Sequence, residues 1–166
     1  VEENGPENCC VAARIHEYVE KEIPYDEDVS AGFNRFPVET LDKGGNCVDQ
    51  SILLSSLLEA AGFETRIVRV ARSQNGTGHA LTEVCFDDAD LVTDSLADYY
   101  RTWGLFGDFS FHWELPSDRK ECWFLADVTM GRYIGDVSGL KRKGYVVDKG
   151  SGGWGFKVRR ETVYPE

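Results

Sequence analysis

Cys47 follows a glycine pair, Gly44 and Gly45, and stands directly after Asn46, a residue type that caps helices. At the first turn of a helix a cysteine meets unpaired N–H groups and the positive end of the dipole, and both favour a thiolate. A thiolate in that position is a nucleophile suited to acyl transfer. The glycines permit a tight turn and leave the sulfur accessible. A small residue that merely opens a core helix fits the same pattern, so partners decide between the two. A thiol needs a base, and the histidines are His16, His79 and His112. His79 opens a strand-like segment after the NGTG turn, and strands hold side chains better than loops do. His112 lies among aromatics with no strand to hold it, and His16 reads as a partly exposed helix histidine. The imidazole in turn needs a group that fixes its tautomer. Asp127 ends the apolar run WFLAD, where an unpartnered acid is out of place. Its alternative reading is a strand-end acid or a turn former before Thr129 and Gly131.

The elements that must position these residues follow from periodicity. Residues 8–22 read as a helix with a stripe of Val11, Ile15, Tyr18 and Val19, closed by Pro24. Residues 24–45 carry Pro, Gly and Asp at short intervals and read as a long loop. Residues 47–61 form the strongest helix, with Asn46 as N-cap, Asp49 three residues on as in a capping box, and Gly62 as the residue that ends it. Its apolar residues run nearly all round, so it is buried on several sides. Segments 63–71, 79–86 and 122–127 read as strands, and a last one lies in FKVRRETVY. Helix first and strands after implies an α+β fold with an antiparallel sheet. An insertion over about 87–121 separates two of the strands and carries a short helix at 95–103 and an aromatic stretch.

GGNCVDQSILLSSLLEAAGFETRIV, then GHALTEV, then WFLADVT together resemble the transglutaminase-like superfamily, over residues 44 to 129 with the insertion unmatched. That family shows Gly-x-Cys-x-Asp/Glu at a helix start, then His-Ala, then Asp-x-Thr, in this order. The resemblance implies a papain-like core, with the cysteine helix packed on an antiparallel sheet that carries histidine and aspartate, and a length of 166 residues implies that 1–166 is a single domain. The resemblance also implies Cys47 as nucleophile, His79 as base and Asp127 as orienting acid, acting on amide bonds of a protein or peptide. Asn46, Leu81 and Val128 depart from residues common in the family, without removing any group of the site. Peptidase, amidase, deamidase and cross-linking activities stay open, as does a binding module that keeps the fold without the activity.

The formal net charge of -11 argues against nucleic acid and anionic lipid surfaces as partners. A hydrophobic share of 42% is enough for a core and excludes a disordered chain. No apolar run approaches the ~20 residues of a membrane span. The expectation is a soluble domain, part of a longer or processed chain or a mature form. No CxxC or Cys/His spacing suits a metal, and no cofactor is expected; DDAD (87–90) reads as a solvated turn. The backbone N–H of Cys47 can serve an oxyanion. Asn34, Tyr25 and Gln50 are candidates for the second donor. Trp103 and Trp113, with Phe106, Phe109 and Phe111, are candidates to line or cover the site, or else form a satellite core. Lys141, Arg142 and Lys143 read as a solvated turn. Strand alternation puts His79 and Cys85 on one face and Cys122 on the other, so these cysteines should not pair, with Cys85 under the Cys47 helix and Cys122 on the far face.

Overall fold

The computed structural model describes residues 8–28, 34–71, 78–113, 122–145 and 157–163, with backbone alone for 108, 112, 113 and 157–163. In chain order the elements are α1 (Cys9–Glu22), α2 (Pro37–Lys43), α3 (Cys47–Ala60), β1 (Thr65–Ala71), β2 (Gly78–Phe86), α4 (Ala89–Thr102), β3 (Asp108–Trp113), β4 (Cys122–Ala126), α5 (Ser138–Arg142) and β5 (Lys157–Val163). The strands form one five-stranded sheet in the order β1-β2-β4-β3-β5, with every pairing antiparallel. This is the expected α+β arrangement, with the Cys47 helix lying on β2.

Two apolar layers cover the two sheet faces. Thr82 on β2 bonds the Ser51 carbonyl at 2.9 Å and meets the Ser55 hydroxyl at 3.3 Å, so the even-numbered positions of β2 face α3. On that face Val84, Phe86, Cys122 and Phe124 join Leu53, Leu54 and Leu58 of α3, with residues of α1 and α4, in the main core. The opposite face carries Val68, Val70, Leu81 and Leu125, covered by Val137, Leu140 and Tyr145.

Several expectations change. The segment before Cys47 is not all loop, because Pro37 at the first turn starts α2, and the Glu39 carboxylate accepts the Phe36 N–H at 3.1 Å. The α1 stripe is also different. Val11 and Tyr18 are 46% and 48% exposed, while Cys9, Ala12, Ala13, His16 and Val19 are buried. Small residues at that spacing let α1 approach its neighbours closely, which outweighs the larger side chains on the other stripe. His16, read as partly exposed, has no accessible surface at all.

The described part of the insertion is a helix and a strand. Asp88 caps α4 by accepting the Leu91 N–H at 3.3 Å, so DDAD opens a helix that runs from 89, not 95. The aromatic stretch forms β3, so the backbone of His112 does lie in a strand. Phe109 packs against Tyr100 and Tyr133, and Phe111 stacks on Phe124 with ring centres 5.0 Å apart.

None of the five cysteines is in a disulfide. Phe86 pairs with Cys122 and Cys85 with Trp123 in an unbroken register. Cys85 and Cys122 therefore do sit on opposite faces. Which face is which is the reverse of the expectation: Cys122 lies on the α3 side and Cys85 on the far side, because α3 covers the face opposite to the one that carries His79.

Candidate active site

The local sequence forces Cys47 to the tip of α3. Asn46 Oδ1 accepts the N–H groups of Val48 and Asp49 at 3.0 and 3.2 Å, and Asp49 Oδ2 returns the bond to the Asn46 N–H at 3.1 Å. The box is reciprocal, as GGNCVD suggests. Gly45 is required by closeness, since a Cβ there would stand 2.4 Å from the Asp49 Cβ. Gly44 adopts φ 78, and a Cβ on it would stand 2.2 Å from the Pro24 carbonyl. The glycine turn is also paired with an earlier piece of chain. Gly45 N–H donates to Pro24 at 3.2 Å, Asp26 N–H donates to Gly45 at 3.0 Å, and Tyr25 and Gly45 form a parallel bridge. Arg35 clamps the turn by donating to the Gly44 carbonyl at 2.7 Å and pairing with Asp26 at 2.9 Å.

His79 is the second residue of β2 and is 3% exposed. Asp127 follows the last residue of β4 and is 1% exposed. Because Thr82 stands opposite Ala126, His79 and Asp127 share the sheet face away from α3. His79 Nε2 and Asp127 Oδ2 are 2.8 Å apart. With Nε2 so engaged, Nδ1 is left for the Cys47 sulfur, which lies near enough to the His79 ring and the Ala80 N–H for both to act on its pKa.

Asp127 is held on every side. Its Oδ1 accepts the N–H groups of Thr129 and Met130 at 2.9 and 3.1 Å. Its carbonyl accepts Gly131 N–H at 3.1 Å and lies 3.1 Å from His16 Nε2. The donor to a carbonyl must be N–H, so His16 carries its proton on Nε2 and its buried Nδ1 has no hydrogen-bond partner among the described residues.

The electrostatics follow from these contacts. Burial works against an imidazolium at His79, but the Asp127 and Cys47 hydrogen bonds and their charges outweigh it and raise its pKa to about 9. Burial likewise raises the thiol, but the His79 bond, the Ala80 N–H and the His79 charge together bring Cys47 below its usual range. Both shifts favour a thiolate–imidazolium pair. His16 moves the other way, since full burial outweighs its bond to Asp127 and lowers its pKa.

Of the candidate oxyanion groups, Tyr25 alone is near enough to Cys47 for the thiol to act on its pKa. It is 47% exposed; burial, the nearby Cys47 thiol and Glu27 raise its pKa. Gln50 is spent elsewhere. Its Nε2 donates to the Ile23 carbonyl at 3.1 Å and its Oε1 accepts the Thr129 hydroxyl at 3.2 Å, so it ties α1, α3 and the Asp127 turn together. Asn34 is exposed and has no contact with Cys47 among the described residues. Trp103 is 57% exposed and follows an α4 turn whose Tyr99 hydroxyl donates to Glu17 of α1 at 3.2 Å, so α4 carries it toward the α1 side of the molecule. Phe106 lines a cavity with Arg132, Tyr133, Asp136 and Lys141, none of which belongs to the Cys47 cluster. The Trp113 side chain lies outside the described residues. Sequence reasoning missed His16 and Tyr145. The His16 signal was its place at i+7, i+4 and i+3 from Cys9, Ala12 and Ala13. Tyr145, whose ring centre lies 5.7 Å from that of His79, follows α5 and had no local signature. No group of metal-binding side chains occurs among the described residues.

Compared with known proteins, the profile of the transglutaminase-like superfamily matches residues 1–94, more than half of the chain. The chain belongs to the transglutaminase-like superfamily, a group with a papain-like core associated with cysteine acyl transfer and hydrolysis. The match covers Cys47 and His79 and stops before Asp127. No curated protein and no solved structure gives a significant match. No helix among the described residues is long and apolar enough to cross a membrane.

Proposed function

We propose that this protein is a cysteine acyltransferase or hydrolase that opens amide bonds of a protein or peptide through a thioester on Cys47. One observation carries the reading: the buried His79–Asp127 hydrogen bond of 2.8 Å, its carboxylate held by the Thr129 and Met130 N–H groups, with Cys47 at the capped tip of α3 near enough to His79 for the two to shift each other's pKa. In the first step the thiolate adds to the acyl carbon and the carbonyl π pair moves to oxygen. The Cys47 N–H, at the positive helix end, faces that oxygen. The His79 imidazolium then gives its proton to the leaving amine as the C–N bond breaks. In the second step neutral His79 takes a proton from water or an amine, which attacks the thioester and frees the thiol. Asp127 holds the ring with Nδ1 toward sulfur and balances the imidazolium charge.

The test is activity profiling with peptide-amide and glutamine donors, with and without an added primary amine, on wild type and Cys47→Ala. Donor turnover in wild type alone supports the reading, and amine incorporation separates cross-linking from hydrolysis. Equal turnover in both proteins would remove Cys47 from the mechanism.

A further inference from the structure

The third motif of the sequence, Asp-x-Thr, ends on a residue that the reaction itself does not use. Thr129 serves two elements at once. Its N–H donates to Asp127 Oδ1 at 2.9 Å, and its hydroxyl donates to Gln50 Oε1 at 3.2 Å. The orientation of the Gln50 amide is fixed, because Nε2 donates to the Ile23 carbonyl at 3.1 Å and leaves Oε1 as the acceptor for Thr129. Gln50 is 3% exposed, so both ends of its amide are paired away from water. It stands three residues after Cys47, nearly one turn further along α3. The contacts therefore close a circuit. It runs from Cys47 along α3 to Gln50, across to Thr129, and from the Thr129 N–H to the Asp127 carboxylate. From there it passes to His79 Nε2 at 2.8 Å, and the His79 ring neighbours the Cys47 sulfur.

We propose that the Gln50–Thr129 hydrogen bond is the strut that sets the spacing of nucleophile and base, with Gln50 and Thr129 as positioning residues that hold the Asp127–His79 pair at a fixed distance from the tip of α3. The inference rests on Cys47 being the nucleophile. Thr82 already joins β2 to α3 by its 2.9 Å bond to the Ser51 carbonyl, and so fixes the strand that carries His79. The acid is held differently. The β2–β4 pairing ends at Ala126, one residue short of Asp127, so the carboxylate sits on a turn beyond the ladder. The Gln50–Thr129 bond joins α3 to this turn directly. Loss of the hydroxyl leaves a buried Gln50 Oε1 without a partner, and the turn relaxes away from α3. No proton moves through the strut. It acts on the approach of the ring to the sulfur, where a misplacement of about 1 Å can slow a reaction about a hundredfold.

The test uses Thr129→Val, which keeps the branched shape and the N–H on Asp127 and loses only the hydroxyl, and Thr129→Ser, which keeps the hydroxyl. The Asp127 carbonyl retains its Gly131 and His16 contacts in both, so the turn persists. Alkylation by iodoacetamide is followed against pH and read at the Cys47 peptide. Expected in Thr129→Val is an acid limb moved to higher pH, with alkylation on that limb slowed by about fivefold to tenfold, the weight of one buried hydrogen bond. Thr129→Ser keeps the wild-type profile. Gln50→Met gives the same displacement as Thr129→Val, and combining the two gives no further one. A Thr129→Val protein that is less stable to denaturant but keeps the wild-type profile overturns the proposal, by making the bond a contact of the fold alone. Fully multiplicative effects of the two changes also overturn it, as does a Thr129→Ser profile that follows Thr129→Val. If wild-type Cys47 alkylates no faster than free cysteine, the nucleophile reading fails first and the proposal falls with it, which is a separate result.

Discussion

At the scale of single residues, the pairing of Cys47 with His79 sets a pH window. The thiol is lowered from 9.0 and the imidazole is raised to about 9, so the ion pair is populated between the two. Acyl transfer should fall on the acid side as the thiolate is protonated, and on the alkaline side near 9 as His79 loses the proton that the leaving amine needs. Turnover measured across this range, with Asp127→Asn in parallel, checks it. The variant should lose its alkaline limb to lower pH and slow by about 10²-fold or more, as loss of an orienting carboxylate does elsewhere. A variant with the wild-type profile would leave Asp127 with a structural role only. The places of Cys47, His79 and Asp127 at element termini were legible in sequence, because local signals mark each: a capping box, a glycine turn and the end of an apolar strand. Gln50 was misassigned because its task, bridging Ile23 to Thr129, is set by tertiary contacts that adjacent residues do not encode.

At the scale of elements, α1 is the one whose role was least visible. Its larger apolar residues point outward, and its buried stripe of small residues carries His16 to the back of the Asp127 turn. The helix itself was plain from its periodicity, but which stripe faces inward depends on how closely α3 and α4 approach. His16→Leu should destabilise the fold by about 1–2 kcal/mol at neutral or mildly alkaline pH, through the lost hydrogen bond. The sign of its pH dependence follows from its lowered pKa. Below the ordinary value of 6.5 the unfolded chain takes up a proton that the folded chain refuses, so this residue costs stability as pH falls. The deficit of the variant should therefore shrink in mildly acidic solution. His79 works in the opposite sense: its raised pKa adds stability that is full below 6.5 and is lost as pH rises through about 9. Chemical denaturation of both proteins at the two pH values measures the difference. A deficit that grows in acid would show His16 to be charged in the fold.

At the scale of the whole molecule, the α+β class and the order of helix and strands could be read from patterning. The strand order could not, since the insertion supplies β3, which enters the sheet between β4 and β5. The alternation argument correctly separated Cys85 from Cys122, and misplaced α3 because His79 and Cys47 meet at the start of β2 from opposite sides of the sheet. Peptide mapping of the non-reduced protein should find every cysteine as a thiol. Brief alkylation should label Cys47 first, since Cys9, Cys85 and Cys122 are buried and burial pushes the Cys9 thiol up to about 12. A Cys85–Cys122 linked peptide would mean that the β2–β4 register is wrong.

The partner of β2 in that register is made late. β1 and β2 are neighbours in sequence, but β4 arrives only after α4 and β3 have been synthesised, and closing so long an excursion is entropically slow. Until it closes, nothing fixes the His79 ring, and the thiol on α3 has the reactivity of any free cysteine. On the proposed function, a chain emerging from the ribosome would carry its nucleophile unarmed while its own amides and those of its neighbours are most exposed. The distance along the chain between helix tip and carboxylate acts as a timer, making reactivity a reward for completed folding.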